Sequence, residues 1–212
     1  MTLFAFLIAP TIFIYLGLYT FQNVPVTFAL FYGWLLLIPI LNNPKGLKKL
    51  MDKGSLLNIV AGVGTGVGSI VLIMTGGALL QHELFDSSQL ELLLKDWKFS
   101  GEYTGLLVCV LIFVNPFLEE LYWRGFILLK LDQVKHKVMI SSLFYSLYHF
   151  LVLLPMFKAS YAAIFFCAVF LAGIIWGRMA AHFRTLWGSI LSHSLADIGI
   201  MMIYYCYISS KM

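Results

Sequence analysis

The stretch SLLNIVAGVGTGVGSIVLIMTGGALL at 55–80 decides the fold, because it runs 26 residues without an acidic or basic side chain. A helix needs about 20 predominantly apolar residues to cross the hydrocarbon of a bilayer, and this stretch has them with some to spare. Working outward from it, charged or turn-rich segments delimit six more apolar stretches, at 3–21, 25–41, 104–130, 138–156, 160–181 and 186–208. The whole chain agrees: of its 212 residues 61% are hydrophobic and 11% charged, against about 45–50% and about 25% in an ordinary soluble domain. That balance excludes a soluble globule and also intrinsic disorder, which requires few apolar residues and much charge. The net charge of +4 does not imply a nucleic-acid partner, since the basic residues are spread over the connections and not gathered on one soluble face. The expectation is an all-α polytopic transmembrane bundle of about seven spans, forming a single membrane domain over 1–212.

The first stretch lacks a Lys/Arg-rich start and a small-residue cleavage site, so it reads as a retained helix rather than a secretory signal. Orientation follows from the excess of Lys and Arg on cytoplasmic connections. One set of connections carries nine: Lys45, Lys48, Lys49, Lys53, Lys130, Lys135, Lys137, Arg178 and Arg184. The opposite set carries four: Lys95, Lys98, Lys158 and Lys211. With seven spans this puts the N-terminus in the cytoplasm and the C-terminus outside, in a multi-pass protein expected in the plasma membrane of a prokaryote. The external connection 82–103 is expected to include a short interfacial helix from Ser88 to Trp97, with Leu90, Leu92, Leu93, Leu94 and Trp97 on its apolar side. In the third span, Gly62/Gly66 and Gly64/Gly68 are small-xxx-small pairs that let another helix approach closely. Cys109, Cys167 and Cys206 lie far apart in apolar runs with no metal-ligand spacing, and read as packing residues.

Ionisable groups at membrane depth are costly, so those that remain there mark function. Most of the charged residues fall in connections. Inside the spans only Glu119, Glu120, Asp197, Arg124, His149 and His193 need explaining. At about 1.5 Å of rise per residue, Glu119, His149 and Asp197 each sit roughly 16 Å from the cytoplasmic end of their spans, with His193 at about 10 Å. Three helices thus bring carboxylate and imidazole to nearly one level. Glu120 and Arg124 are i,i+4 and are expected to pair, which is how a buried Arg becomes tolerable. Glu119, about 100° around the same helix, has no partner in sequence and is the candidate base, with His149 placed to hold and polarise a water beside it. His193 and Asp197 are again i,i+4, share a face, and are candidates for stabilising an oxyanion.

These residues also fall into motifs. Asn115-Pro116-Phe117-Leu118-Glu119-Glu120-Leu121-Tyr122-Trp123-Arg124-Gly125 resembles the E-E-x-x-x-R motif of the CPBP family, which includes Rce1-type CAAX-processing proteases and bacteriocin-processing or immunity proteins. Ser141 to His149 resembles the family's F-x-x-x-H motif with Tyr145 in place of Phe, and His193 to Asp197 resembles H-x-x-x-N with Asp in place of Asn. The resemblance spans 104 to about 200, which makes 104–200 the motif-bearing catalytic core, and leaves the first three spans matched by hydrophobicity alone. It implies an endopeptidase that cuts a membrane-associated protein or leader peptide, with Glu119 and His149 activating water. Glu120 and Arg124 support them, and His193 with residue 197 forms the oxyanion site. Asp197 departs from the family pattern: an ionised carboxylate has no N–H to donate, so its expected task is to orient His193 or share a proton with it.

The family has been described both as metal-dependent and as glutamate-dependent. Glu119, His149 and His193 would also make a His₂Glu zinc set with an open fourth position, but H-E-x-x-H is absent, and metal-free activation of water without a cofactor is the favoured expectation. The competing function is a non-catalytic immunity or scaffold protein binding a peptide in the same cavity. A proton-coupled transporter using Glu119 and Asp197 is disfavoured by the lack of an inverted repeat.

Overall fold

The computed structural model describes residues 2–52 and 54–208. Lys53 and Lys211, both used in reading the orientation, lie outside them. Among the described residues the chain is helical and has no strands. The helices are α1 (Leu3–Tyr15), α2 (Val24–Asn42), α3 (Pro44–Leu50), α4 (Leu56–Leu84), α5 (Ser87–Asp96), α6 (Thr104–Cys109), α7 (Asn115–Glu120), α8 (Leu128–Lys130), α9 (Lys137–Leu153), α10 (Ala159–Phe183) and α11 (Trp187–Tyr207). π-helical turns at Leu16–Thr20, Val110–Val114 and Leu121–Ile127 prolong α1 and fuse α6, α7 and α8 into one span, Thr104–Lys130. Among the described residues six helices are long and apolar enough to cross a membrane, and α9 is a shorter apolar helix of 17 residues. The seven expected stretches therefore appear as six full-length helices and one at the short limit for spanning. The protein is an integral, multi-pass membrane protein.

Local sequence explains where these helices begin. Asn23, Asn43, Ser55 and Asp86 each stand at a helix N-cap, and their side chains accept from the backbone N–H of Val26, Gly46, Asn58 and Ser88 respectively, satisfying donors that the first turn leaves orphaned. The π turn at 110–114 also has a sequence cause. Pro116 offers no N–H to the carbonyl four residues back, and its ring crowds that carbonyl, so the helix widens just ahead of it.

The polarity of the bundle is inverted with respect to a soluble protein. Leu41, Leu72, Leu79, Phe113 and Ile164 are exposed on the outside, whereas Glu119, Glu120, Arg124 and His193 are buried. Lipid solvates the first set, and only protein can solvate the second. α11 packs along α4, and α10 along α9. At the α4–α11 crossing a Cβ on Gly62 would overlap the Gly188 carbonyl, and one on Gly66 would come within 2.6 Å of Leu195 Cδ1, so this pair is what lets the backbones meet. Gly64 and Gly68 have nothing within 4 Å of an added Cβ. The expectation of a helix against that second pair is corrected: a spacing of two puts them on the other side of α4.

The connections meet as the seven-span topology requires. On one side the Leu186 N–H donates to the Leu50 carbonyl at 3.0 Å, and Trp187 Nε1 to the Met51 carbonyl at 3.2 Å, joining the connections at 42–54 and 184–187. On the other side the Val24 N–H donates to Trp97 at 2.8 Å, and Lys158 N–H to Leu84 at 3.4 Å. The interfacial helix is α5. It buries Leu90 and Leu94 but turns Leu92 outward, as a 3.6-residue period dictates. Cys109 and Cys167, read as packing residues, are exposed on outward faces.

Candidate active site

The core polar cluster is built around the imidazole of His193 on α11. Its Nδ1 is 3.1 Å from Glu120 Oε1, a hydrogen bond in which the ring N–H donates to the carboxylate. Its Nε2 is 3.7 Å from Glu119 Oε2, 3.8 Å from Asp197 Oδ2 and 3.4 Å from the Tyr145 hydroxyl. The ring stacks on Trp176 of α10 with centroids 4.2 Å apart, and Trp176 Nε1 donates to Ser192 Oγ at 2.9 Å, which fixes the indole. Glu119 and His193 are each 2% exposed and Glu120 is fully buried. Charges this deep persist only when paired.

Glu120 has two partners at once. Arg124 NH1 lies 3.2 Å from the same Oε1 that holds His193. The guanidinium is in turn placed by the Gly173 carbonyl at 3.4 Å and lies over the Tyr145 ring, 4.2 Å from its centroid, and over Trp176 at 5.4 Å. A Cβ at Gly173 would stand 3.0 Å from Ser142 Cβ and 3.3 Å from Arg124 NH2, so the glycine makes room for the Arg. The Glu120–Arg124 pair expected from i,i+4 spacing forms, across a π turn. Glu120 also orients His193, a contact that sequence spacing had offered to Asp197.

Glu119 is the least satisfied of the acids. Its Oε2 has no hydrogen-bond partner among the described residues, and neither have Glu120 Oε2 and the Tyr148 hydroxyl, which lies near Glu119. Asp197 Oδ2 accepts from Asn115 Nδ2 at 3.1 Å, and Asn115 Oδ1 accepts from the Tyr32 hydroxyl at 3.1 Å. His149 donates from Nδ1 to the Tyr145 carbonyl at 2.9 Å, which leaves Nε2 as its free nitrogen, and its ring lies against Tyr145 and Tyr148 at 4.6 and 4.4 Å between centroids. No hydrogen bond or ion pair joins His149 to Glu119 among the described residues. The structure therefore brings Glu119, Glu120, Arg124, Tyr145, His193 and Asp197 into one cluster and places His149 beside it, behind two tyrosine rings.

For a metal the arrangement does not fit. Among the described residues no three His, Cys, Asp or Glu side chains converge so as to hold an ion. Glu119, His149 and His193 do not converge on one point among the described residues.

Residues 102–199 match the sequence model of the family described as type II CAAX prenyl endopeptidase Rce1-like. The segment is similar to that family. It is a protease family, and the Rce1-like segment covers the polar cluster from Asn115 to Asp197 while leaving α1 to α5 outside the match. No curated protein and no solved structure matches the chain.

Four residues of the site escaped the sequence reading. Asn115 was findable, since it precedes Glu119 by four residues on the same helix and so shares its face; being uncharged, it left no mark in a list of ionisable groups. Tyr32, Tyr148 and Trp176 carry no local signal, because an aromatic side chain in an apolar run is indistinguishable from lipid-facing packing until its neighbours are known.

Proposed function

We propose that the protein is an intramembrane endopeptidase, with 104–200 as its catalytic core, that hydrolyses a peptide bond of a membrane-associated protein or leader peptide, including a CAAX-type C-terminus. The observation that carries this reading is the triangle of Glu119 Oε2, His193 Nε2 and Asp197 Oδ2, with edges from His193 of 3.7 and 3.8 Å and with Glu119 Oε2 unpartnered. A water over that triangle meets a carboxylate able to take its proton, and Glu119 is the general base. His149, whose Nδ1 is engaged by the Tyr145 carbonyl, has Nε2 left to polarise that water or the scissile peptide. With Nδ1–H given to Glu120, an imidazolium at His193 has its Nε2–H left for the oxyanion of the tetrahedral intermediate, where a donor fixed in a dry site is worth most. When the intermediate collapses, the proton held by Glu119 passes to the leaving amine, returning the carboxylate to its starting state.

No metal takes part in this reading, since the donors do not converge. The N-terminus faces the cytoplasm, and the substrate reaches the site from that side. The test is purified full-length protein in liposomes with a tagged membrane-anchored substrate, comparing wild type with Glu119→Gln, His149→Ala and His193→Ala. Cleavage lost in all three at normal folding supports the reading. Cleavage that survives Glu119→Gln removes it, as does stoichiometric zinc with loss of cleavage on chelation. A peptide-binding scaffold is the outcome if substrate binds and is never cut.

A further inference from the structure

We propose that Asn115, itself held by Tyr32, is a positioning residue that keeps Asp197 just out of reach of His193, so that His193 Nε2 stays available to the reacting oxygen. The proposal rests on the endopeptidase reading above. Its starting point is a distance that is odd on chemical grounds. His193 and Asp197 are i,i+4 on α11 with side chains 3% and 13% exposed, and a carboxylate and an imidazole so placed would be expected to close to a charge-assisted hydrogen bond of about 2.7–2.9 Å. They stand 3.8 Å apart.

What holds them apart is a chain of hydrogen bonds that runs from α2 through the motif helix α7 to α11. Asn115 Nδ2 donates to Asp197 Oδ2, the oxygen that faces His193, at 3.1 Å. The amide cannot flip to release it, because its Oδ1 accepts from the Tyr32 hydroxyl at 3.1 Å and a flip would set oxygen against the carboxylate. Tyr32 is fixed in turn by packing on Phe28 and Phe31, at 4.9 and 5.4 Å between centroids. Three helices, α2, α7 and α11, thus meet at one carboxylate oxygen. Freed from the clamp, Asp197 would close onto Nε2 and occupy the position that the oxyanion needs. Glu120 cannot play that obstructive part, because it engages the opposite ring nitrogen, Nδ1.

A purely structural role for Asn115 and a clamp on Asp197 predict different genetics. In the clamp, the harm done by losing Asn115 or Tyr32 comes from the Asp197 carboxylate, so converting that carboxylate to an amide relieves it. The experiment measures kcat and KM for wild type, Tyr32→Phe, Asn115→Ala, Asp197→Asn, and each of the first two variants combined with Asp197→Asn, all as full-length protein in liposomes. The expected result is a fall in kcat of tenfold or more for Tyr32→Phe and Asn115→Ala with KM within twofold. Adding Asp197→Asn should then bring kcat back to within threefold of the Asp197→Asn single variant. Unchanged kcat in Tyr32→Phe overturns the proposal, as does a loss that Asp197→Asn fails to relieve. If Asn115→Ala does not fold, Tyr32→Phe and its double variant decide alone, since they remove one oxygen and leave the ring in place. An inactive wild type, or a Glu119→Gln that still cleaves, sinks the endopeptidase reading itself, and that outcome is distinct from failed relief in an active enzyme.

Discussion

Replacing Arg124 by Met should be among the most damaging single changes in the protein, and the damage should come from Glu120 more than from the lost Arg. The two side chains are 1% and 0% exposed and lie 3.2 Å apart. Truncating one partner of such a pair costs up to about 3–5 kcal/mol, here because Glu120 keeps only His193 in a cluster that also holds Glu119 and Asp197. Loss of the cation–π contact with Tyr145, 4.2 Å from the guanidinium, adds up to about 2 kcal/mol when fully desolvated, though it overlaps the first figure. A loss of about 3–5 kcal/mol is roughly two to four powers of ten in the folding equilibrium. Combining Arg124→Met with Glu120→Gln removes the stranded charge, and the amide oxygen that replaces the carboxylate can still accept from His193 Nδ1. The double variant should therefore recover to within about 1–2 kcal/mol of wild type, the remaining deficit being the cation–π contact. The assay is equilibrium unfolding in mixed micelles with increasing SDS, followed by tryptophan fluorescence. The reasoning is refuted if the single variant loses less than about 1 kcal/mol, or if the double variant is no more stable than the single.

Two further predictions test the packing around the site. Gly62→Val should prevent stable folding, because its Cβ meets the Gly188 backbone, whereas Gly64→Val should be tolerated, since nothing lies within 4 Å of its Cβ; thermal unfolding in detergent separates the two. Ser192→Ala should cost about 1–3 kcal/mol by leaving Trp176 Nε1 without the acceptor it has at 2.9 Å. It should also lower kcat by loosening the indole stacked on His193, and unchanged melting and kcat in this variant would refute the assignment.

The bilayer makes the coarse fold legible in the sequence. Its hydrocarbon admits only closed backbone hydrogen bonding, so a run such as 55–80 has one structural outcome, a helix, whatever its neighbours are. The same physics makes Glu119, Glu120, Arg124, His149, His193 and Asp197 stand out, because each is expensive where it sits. Helical period alone then pairs Glu120 with Arg124. It also gives α5 its apolar face, Leu90 and Leu94, and turns Leu92 to the opposite side. What period cannot give is the contact between helices. That Gly62 and not Gly64 meets α11, that Glu120 and not Asp197 holds the His193 ring, and that Tyr32 reaches Asn115 all depend on how α2, α4, α7, α10 and α11 are rotated about their axes. Those rotations come from side-chain packing between segments distant in the chain and from two π turns that shift the register of the motif helix. Depth in the membrane is a property of one helix and can be read from its sequence; the direction a side chain faces is a property of the whole bundle, and only the tertiary structure decides it.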